Sequence, residues 1–403
     1  MATDTTADLA PAARPVDAAT VMGLLPARPR VLALGEPTHG EDMLLDLRND
    51  LFGQLAEREG YRTIALESDC LRGLIVDDHV VSGAGTLDDV MARGFSHGFG
   101  DSAANRALVR WMRAYNETRP AAERLRFAGL DGPLEITGAA SPRQALTALH
   151  RHLADRVEAG LLPCDAETLD RLLGTDERWT EPDAMTDPGR SVGRSADAER
   201  LRLLADELVA LLGTRTPELL AAGTRDDWER AGLYGRTAVG LLRYHHAMAD
   251  PSPARMTRLL GLRDLMMADN LLALADRSPV LVYAHNSHLQ REKSTMRMWG
   301  HTPVEWWSAG ALAHARLGTA YAFLATALGT IEHRGVGTPP PDTLEGVLHA
   351  LPKDACLVDA AHLAAALGGA VPRESPWFGY APLDPARLTR VDGVVYVRDV
   401  LRR

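Results

Sequence analysis

Pro279-Val-Leu-Val-Tyr-Ala-His-Asn-Ser-His288 is an apolar run that stops abruptly on two histidines. A run that does not alternate apolar with polar residues suits a strand covered on both faces, as in a parallel sheet with helices on either side. Val31-Leu-Ala-Leu-Gly-Glu-Pro-Thr-His-Gly40 has the same design, four apolar residues followed by Glu36 and His39. Five more runs read alike, at 63–66, 126–130, 320–325, 356–359 and 393–397. Stretches of helical periodicity separate them. The class is α/β, with a mostly parallel central sheet flanked by helices.

Between about 145 and 276 the strand signal vanishes, and leucine and alanine recur at helical spacing, as in Leu201, Leu204, Leu208 and Leu212. This reads as a large helical insertion forming a cleft over the carboxyl edge of the sheet. The expected organisation is a first catalytic part at 1–140, the insertion at 141–276 and a second catalytic part at 277–403. The polar stretch 181–197 reads as a mobile loop, and Pro339-Pro-Pro341 prohibits helix in another.

The chain has 403 residues, 46% of them apolar, enough for a sizeable core. Its charge, 44 − 54 = −10, argues against a nucleic-acid partner. No apolar run reaches the length needed to span a membrane. Cys70, Cys164 and Cys356 are scattered without CxxC spacing, and residues 1–17 lack the pattern of a secretory signal. The expected location is therefore cytoplasmic. No GxSxG elbow, phosphate-binding loop or dinucleotide fingerprint occurs, so no cofactor is expected.

The chemistry gathers where strands stop. The first predicted strand runs into Glu36 and His39, the second into Glu67, the third into Asp131, and the fourth into His285, Asn286 and His288. Open α/β sheets bind ligands outside the carboxyl ends of their strands. Arg48 falls beside the apolar stripe of Leu44, Leu51 and Leu55, so it either reaches solvent or is buried against an acid, with Glu36 and Glu67 the natural partners. His39 precedes a helix, whose N-terminus disfavours the imidazolium, while Glu36 favours it. The His285-x-x-His288 spacing resembles a metal pair, but the helical HExxH pattern is missing, and hydrogen-bonding roles are preferred to a metal. His245 and His246 read as structural or solvated. Trp299, Trp306 and Trp307 could wall a pocket, although packing is the commoner use of such residues.

Taken together, Leu34-Gly-Glu-Pro-Thr-His-Gly40, Ile64-Ala-Leu-Glu-Ser-Asp69, Leu108-Val-Arg-Trp-Met-Arg-Ala-Tyr-Asn116, Phe127-Ala-Gly-Leu-Asp131, Arg263-Asp-Leu-Met-Met-Ala-Asp-Asn270 and Ala284-His-Asn-Ser-His288 form an ordered set. The chain thereby resembles the erythromycin esterase family, which includes succinoglycan-biosynthesis-like proteins. The resemblance implies a sheet domain and a helical part that form a deep cleft, and metal-independent hydrolysis of a lactone by activated water. It places the essential histidine at His39, its glutamate at Glu36, the buried arginine at Arg48, the second glutamate at Glu67 and the later histidines at His285 and His288. Asn286, Asp131 and Arg263 are expected on the substrate side. The chain departs from the family pattern at Pro37, where a small residue is common, and is least similar in the helical insertion.

The leading expectation is ester or lactone hydrolysis of a small molecule. His39 acts as general base, Glu36 orients it, and Glu67 positions water or pairs with Arg48. Arg48 with His285 or His288 stabilises the oxyanion. The alternatives are a natural-product tailoring enzyme using the same site for cyclisation, elimination, epoxide opening or acyl transfer, and a non-catalytic small-molecule binding protein.

Overall fold

The computed structural model describes residues 9–135, 138–297, 303–375 and 377–402. Its strands are β1 (Val31–Glu36), β2 (Thr63–Asp69), β3 (Arg126–Asp131), β4 (Leu134–Glu135), β5 (Gly138–Ala139), β6 (Val280–His285), β7 (Lys293–Met296), β8 (Val304–Trp307), β9 (Tyr321–Thr330), β10 (Ala355–Asp359) and β11 (Gly393–Asp399). The seven apolar runs all enter one sheet, in the order β10-β11-β9-β1-β6-β2-β3, parallel throughout except for β10, which runs antiparallel to β11.

The unbroken apolar runs are explained by the two cores they serve. Leu32, Leu34, Ile64, Leu66 and Leu281 pack on one face with Leu51 and Phe52 of the helix Asp42–Arg58 and Leu108 of the helix Ala103–Glu117. Val31, Ala33, Ala65, Val280 and Val282 pack on the other, with Met267 and Leu271 of the helix Arg255–Arg277 and Ala313 of Ala309–Leu317. Neither side of a central strand meets water, so both alternating sets must be apolar. Each fully buried Leu or Val contributes about 1.5–3 kcal/mol of transfer free energy.

Between β5 and β6 the described residues contain helices and turns only. The helices Arg143–Ala154, Ala196–Thr214 and Arg225–Met248 share an apolar core of their own, which includes Leu149, Leu204, Leu208 and Leu242. Thr224 and Asp227 close a capping box at the start of the last of these. The stretch 181–197 departs from expectation. It forms short 3₁₀ turns that bury Ala184 and Met185, whose carbonyls accept from Arg255. Arg255 is itself buried, so this polar segment is fastened by side-chain donors that its own composition does not show. The β7–β8 ribbon was also not foreseen: its four-residue strands give too short a pattern to read. Trp306 and Trp307 lie on it; Trp299 falls outside the described residues.

Register brings the strand ends together. β6 lies between β1 and β2, with Glu36 opposite His285, and β3 follows with Asp131 opposite Asp69. The carboxyl ends of β1, β6, β2 and β3 are therefore consecutive along one rim.

Candidate active site

Five side chains alternate acid and base across that rim. Asp264 Oδ1 lies 2.7 Å from His288 Nδ1, His288 Nε2 lies 3.3 Å from Glu67 Oε1, and His39 Nε2 lies 3.8 Å from the same oxygen. His39 Nδ1 is 2.6 Å from Glu36 Oε1. The carboxylates are buried, whereas the His39 side chain is 40% exposed. Burial alone would push the His39 imidazole down, but the charges of Glu67 and Glu36 outweigh it and raise its pKa to about 9. Of the two opposing influences expected on His39, the carboxylates win.

His285 behaves in the opposite way. Its Nδ1 accepts from the Ser287 backbone N–H and lies 2.7 Å from the Ser287 hydroxyl, capping the helix Asn286–Leu289. An N–H can only donate, so the ring proton is on Nε2. Burial, and then the positive charge of His39, pushes its pKa down to about 3 and keeps it neutral. Its backbone N–H donates to Glu67 Oε2 at 2.8 Å. His288 has both nitrogens against carboxylates. Burial opposes its charge, but Asp264 and Glu67 raise its pKa to about 10. His288 is thus committed on both nitrogens, and the oxyanion role expected of it finds no free donor there.

Arg48 is buried, at 1% exposure, but not against an acid. Its Nη2 donates to Asn105 Oδ1 at 2.8 Å and to Asn49 Oδ1 at 2.7 Å, and its guanidinium lies 5.0 Å over the Tyr283 ring. Among the described residues it makes no ion pair with Glu36 or Glu67, which corrects the expected pairing. Neutral amide oxygens and the face of an aromatic ring take the place of a carboxylate. With Glu36, Glu67 and Tyr283 it lines a cavity of about 10 Å³, room for a single water. Glu36 Oε2 and the Tyr283 hydroxyl are both buried there, and the neighbouring Glu36 carboxylate helps burial to raise the Tyr283 pKa. So placed, Arg48 underlies the site instead of facing a substrate.

Arg263 joins the acids. It donates to Asp131 Oδ2 at 2.6 Å and to Glu67 Oε1 at 3.1 Å, and these carboxylates raise its pKa against the effect of burial. Asn286 is occupied elsewhere: its amide donates to the Thr326 carbonyl and accepts from the Thr326 N–H, which ties β6 to β9. That contact explains Gly35, where an added Cβ would lie 2.1 Å from Asn286 Oδ1.

Three participants were not anticipated. Asp264 anchors His288 and accepts from Trp306 Nε1 and Ala309 N, both at 3.0 Å. Its sequence signal is its place in the Arg263–Asn270 motif, where no role was read for it. His97, at φ 56°, is the one non-glycine residue with positive φ among those described. Its Nδ1 meets Glu135 at 2.8 Å, and its Nε2 is 3.5 Å from Asp131 Oδ2. Burial opposes its charge, but Asp131 raises its pKa. Phe99 lies between His97 and His39, 5.6 Å from each ring. His245 donates to the Ala140 carbonyl and is structural. Trp306 is buried beside Asp264, whereas Trp307 is exposed.

Among the described residues no group of three or more His, Cys, Asp or Glu side chains is placed to hold a metal ion. No described helix is long and apolar enough to cross a membrane.

The fold and site define an α/β sheet protein whose carboxyl rim carries interlocked histidines and carboxylates. The chain belongs to the erythromycin esterase family, whose profile matches residues 56–402. The match takes in Glu67, Asp131, Arg263, His285 and His288 and begins after Glu36, His39 and Arg48. An erythromycin esterase type II of Escherichia coli is 27% identical over 269 residues, 65% of this chain; the chain spans 61% of the length of that relative. Among solved structures, a Bacillus cereus protein shares the fold at TM-score 0.75 and 16% identity, over 99% of this chain and 98% of its own. A succinoglycan biosynthesis protein matches at TM-score 0.72 and 15% identity, over 98% and 97%. A histidine-to-asparagine variant of the erythromycin esterase EreC, in its open conformation, matches at TM-score 0.66 and 17% identity, over 94% and 92%.

Proposed function

We propose that the protein hydrolyses an ester or lactone of a small natural product, with His39 removing the proton from the attacking water. One observation carries the reading. Of the three imidazoles on the rim, His39 alone is substantially exposed, and its Nε2 has no closer partner than a carboxylate at 3.8 Å. Glu36 fixes the ring through Nδ1 and stabilises the imidazolium that forms. Glu67 orients the water beside Nε2. Charge developing on the carbonyl oxygen faces Arg263, which shares Glu67 Oε1 with His39, in place of the buried Arg48. The apolar part of the substrate lodges in a crevice of about 270 Å³ lined by His285, Phe323, Ala325 and Leu383. The name of the Escherichia coli relative makes a macrolide lactone the first substrate to try.

With a pKa near 9, only about 3% of His39 is neutral at pH 7.5 in the free protein, so turnover by this route rises with pH. The same charge favours a second reading, in which His39 begins as a proton donor for elimination or epoxide opening. Turnover in H₂¹⁸O separates the two: label in the product supports hydrolysis, and an unlabelled product supports the tailoring reaction. His39→Ala tests the base itself. General-base loss lowers turnover by about 10²–10⁴-fold with the fold retained, and an unchanged rate overturns the assignment.

A further inference from the structure

A second crevice, of about 360 Å³, lies between β3 and the helix Arg225–Met248 and shares no residue with the rim around His39. Much of its wall is apolar, from Leu74, Phe127, Leu233 and Leu274. The charges around it are mostly satisfied: Arg126 pairs with Asp77 and Asp226, and Arg277 with Asp226 and Glu229.

Two donors within it are not satisfied. Among the described residues Arg236 makes one hydrogen bond, from Nε to Asn270 Oδ1 at 3.2 Å, and no carboxylate lies within ion-pair distance of it. Its pKa is lowered, chiefly by burial. A partly buried guanidinium with one neutral acceptor lacks the anion that would offset the water it has lost. Trp228 also lines the crevice, and its buried indole N–H has no acceptor among the described residues. The two residues are eight apart on one helix, about 12 Å along its axis.

We propose that this crevice is a binding site, separate from the hydrolytic one, for an elongated apolar carboxylate. The carboxylate pairs with Arg236, the apolar body covers Leu74, Leu233 and Leu274, and a hydroxyl or carbonyl oxygen at the far end accepts from Trp228. Apolar walls supply the area-dependent attraction, and the two donors fix the orientation, the usual division of labour in a small-molecule site.

Calorimetric titration of the whole protein with 10-hydroxydecanoate tests the site, with decane-1,10-diol as the uncharged comparison. The acid binds saturably at one site, and the diol binds about ten- to hundredfold more weakly, the loss of a charge-assisted hydrogen bond. Arg236→Gln reduces the acid to the affinity of the diol and leaves the diol unchanged. Trp228→Phe weakens the acid about two- to tenfold, and His39→Ala leaves binding intact. Absence of saturable binding, an affinity indifferent to Arg236→Gln, or loss of binding in His39→Ala overturns the proposal. Photolysis of a diazirine-bearing decanoate on the unaltered protein needs no variant to fold. Label on β3 or on Arg225–Met248 supports the site, and label confined to the rim around His39 and His285 overturns it.

Discussion

Glu36→Gln isolates charge from geometry at His39. The glutamine carbonyl can occupy the place of Glu36 Oε1, 2.6 Å from His39 Nδ1, and still accept the ring N–H. What disappears is one of the two negative charges that hold the imidazole near pKa 9. An opposite charge in contact moves a pKa by roughly 1–3, so the midpoint falls from about 9 to about 6–8. At pH 7 the neutral fraction then grows from about 1% to between about 10% and 90%. The imidazole left behind is a weaker base, so the plateau rate drops while the rising limb shifts to lower pH. The assay is kcat/KM against pH, from about 6 to about 10, on an ester that the unaltered protein turns over. A parallel NMR titration of the His39 ring reads the same midpoint without substrate. A rising limb that stays near 9 in Glu36→Gln, or one that lies near 6.5 in the unaltered protein, refutes the argument that these carboxylates set the state of His39.

Other outcomes follow from the same contacts. Asp264→Asn leaves His288 buried with Glu67 as its only anionic partner and is expected to cost about 3–5 kcal/mol in denaturant unfolding. Gly35→Ala drives a methyl group into Asn286 and disturbs the β6–β9 tie, with a loss of about 1–3 kcal/mol and a fall in turnover through the neighbouring His285. Thermal stability depends on pH in two opposite ways. His39 and His288, raised above 6.5, contribute stability that is whole below pH 6.5 and lost as pH climbs through about 9 and about 10. His285 and His245, depressed to about 3 and about 4, contribute stability that is whole above pH 6.5 and lost as pH falls towards those values. A melting temperature that falls on both sides of neutrality is the expected record. His285→Asn should flatten the acid side only.

The sheet was legible because burial on both faces leaves a local mark. A strand such as Val31–Glu36 must offer apolar side chains to the core on either side, and the resulting run is visible without a partner in view. The ribbon at Lys293–Met296 and Val304–Trp307 leaves no comparable mark, since its strands are short and Trp307 remains exposed. Gly35 was read only as part of a motif. Its need for a missing side chain comes from Asn286, some 250 residues away in the chain.

The order of residues by itself determined which segments become strands of the central sheet and that Glu36, Glu67, Asp131 and His285 stand at strand ends, because strand burial and strand termination are recorded in consecutive residues. The tertiary structure decided what those groups are to one another. It gave Arg48 two asparagines and a tyrosine, set Asp264 behind His288, brought His97 opposite His39 and made His39 basic and His285 neutral. Charge interactions and desolvation depend on separations of a few ångströms between residues remote in the chain, and folding alone fixes those separations.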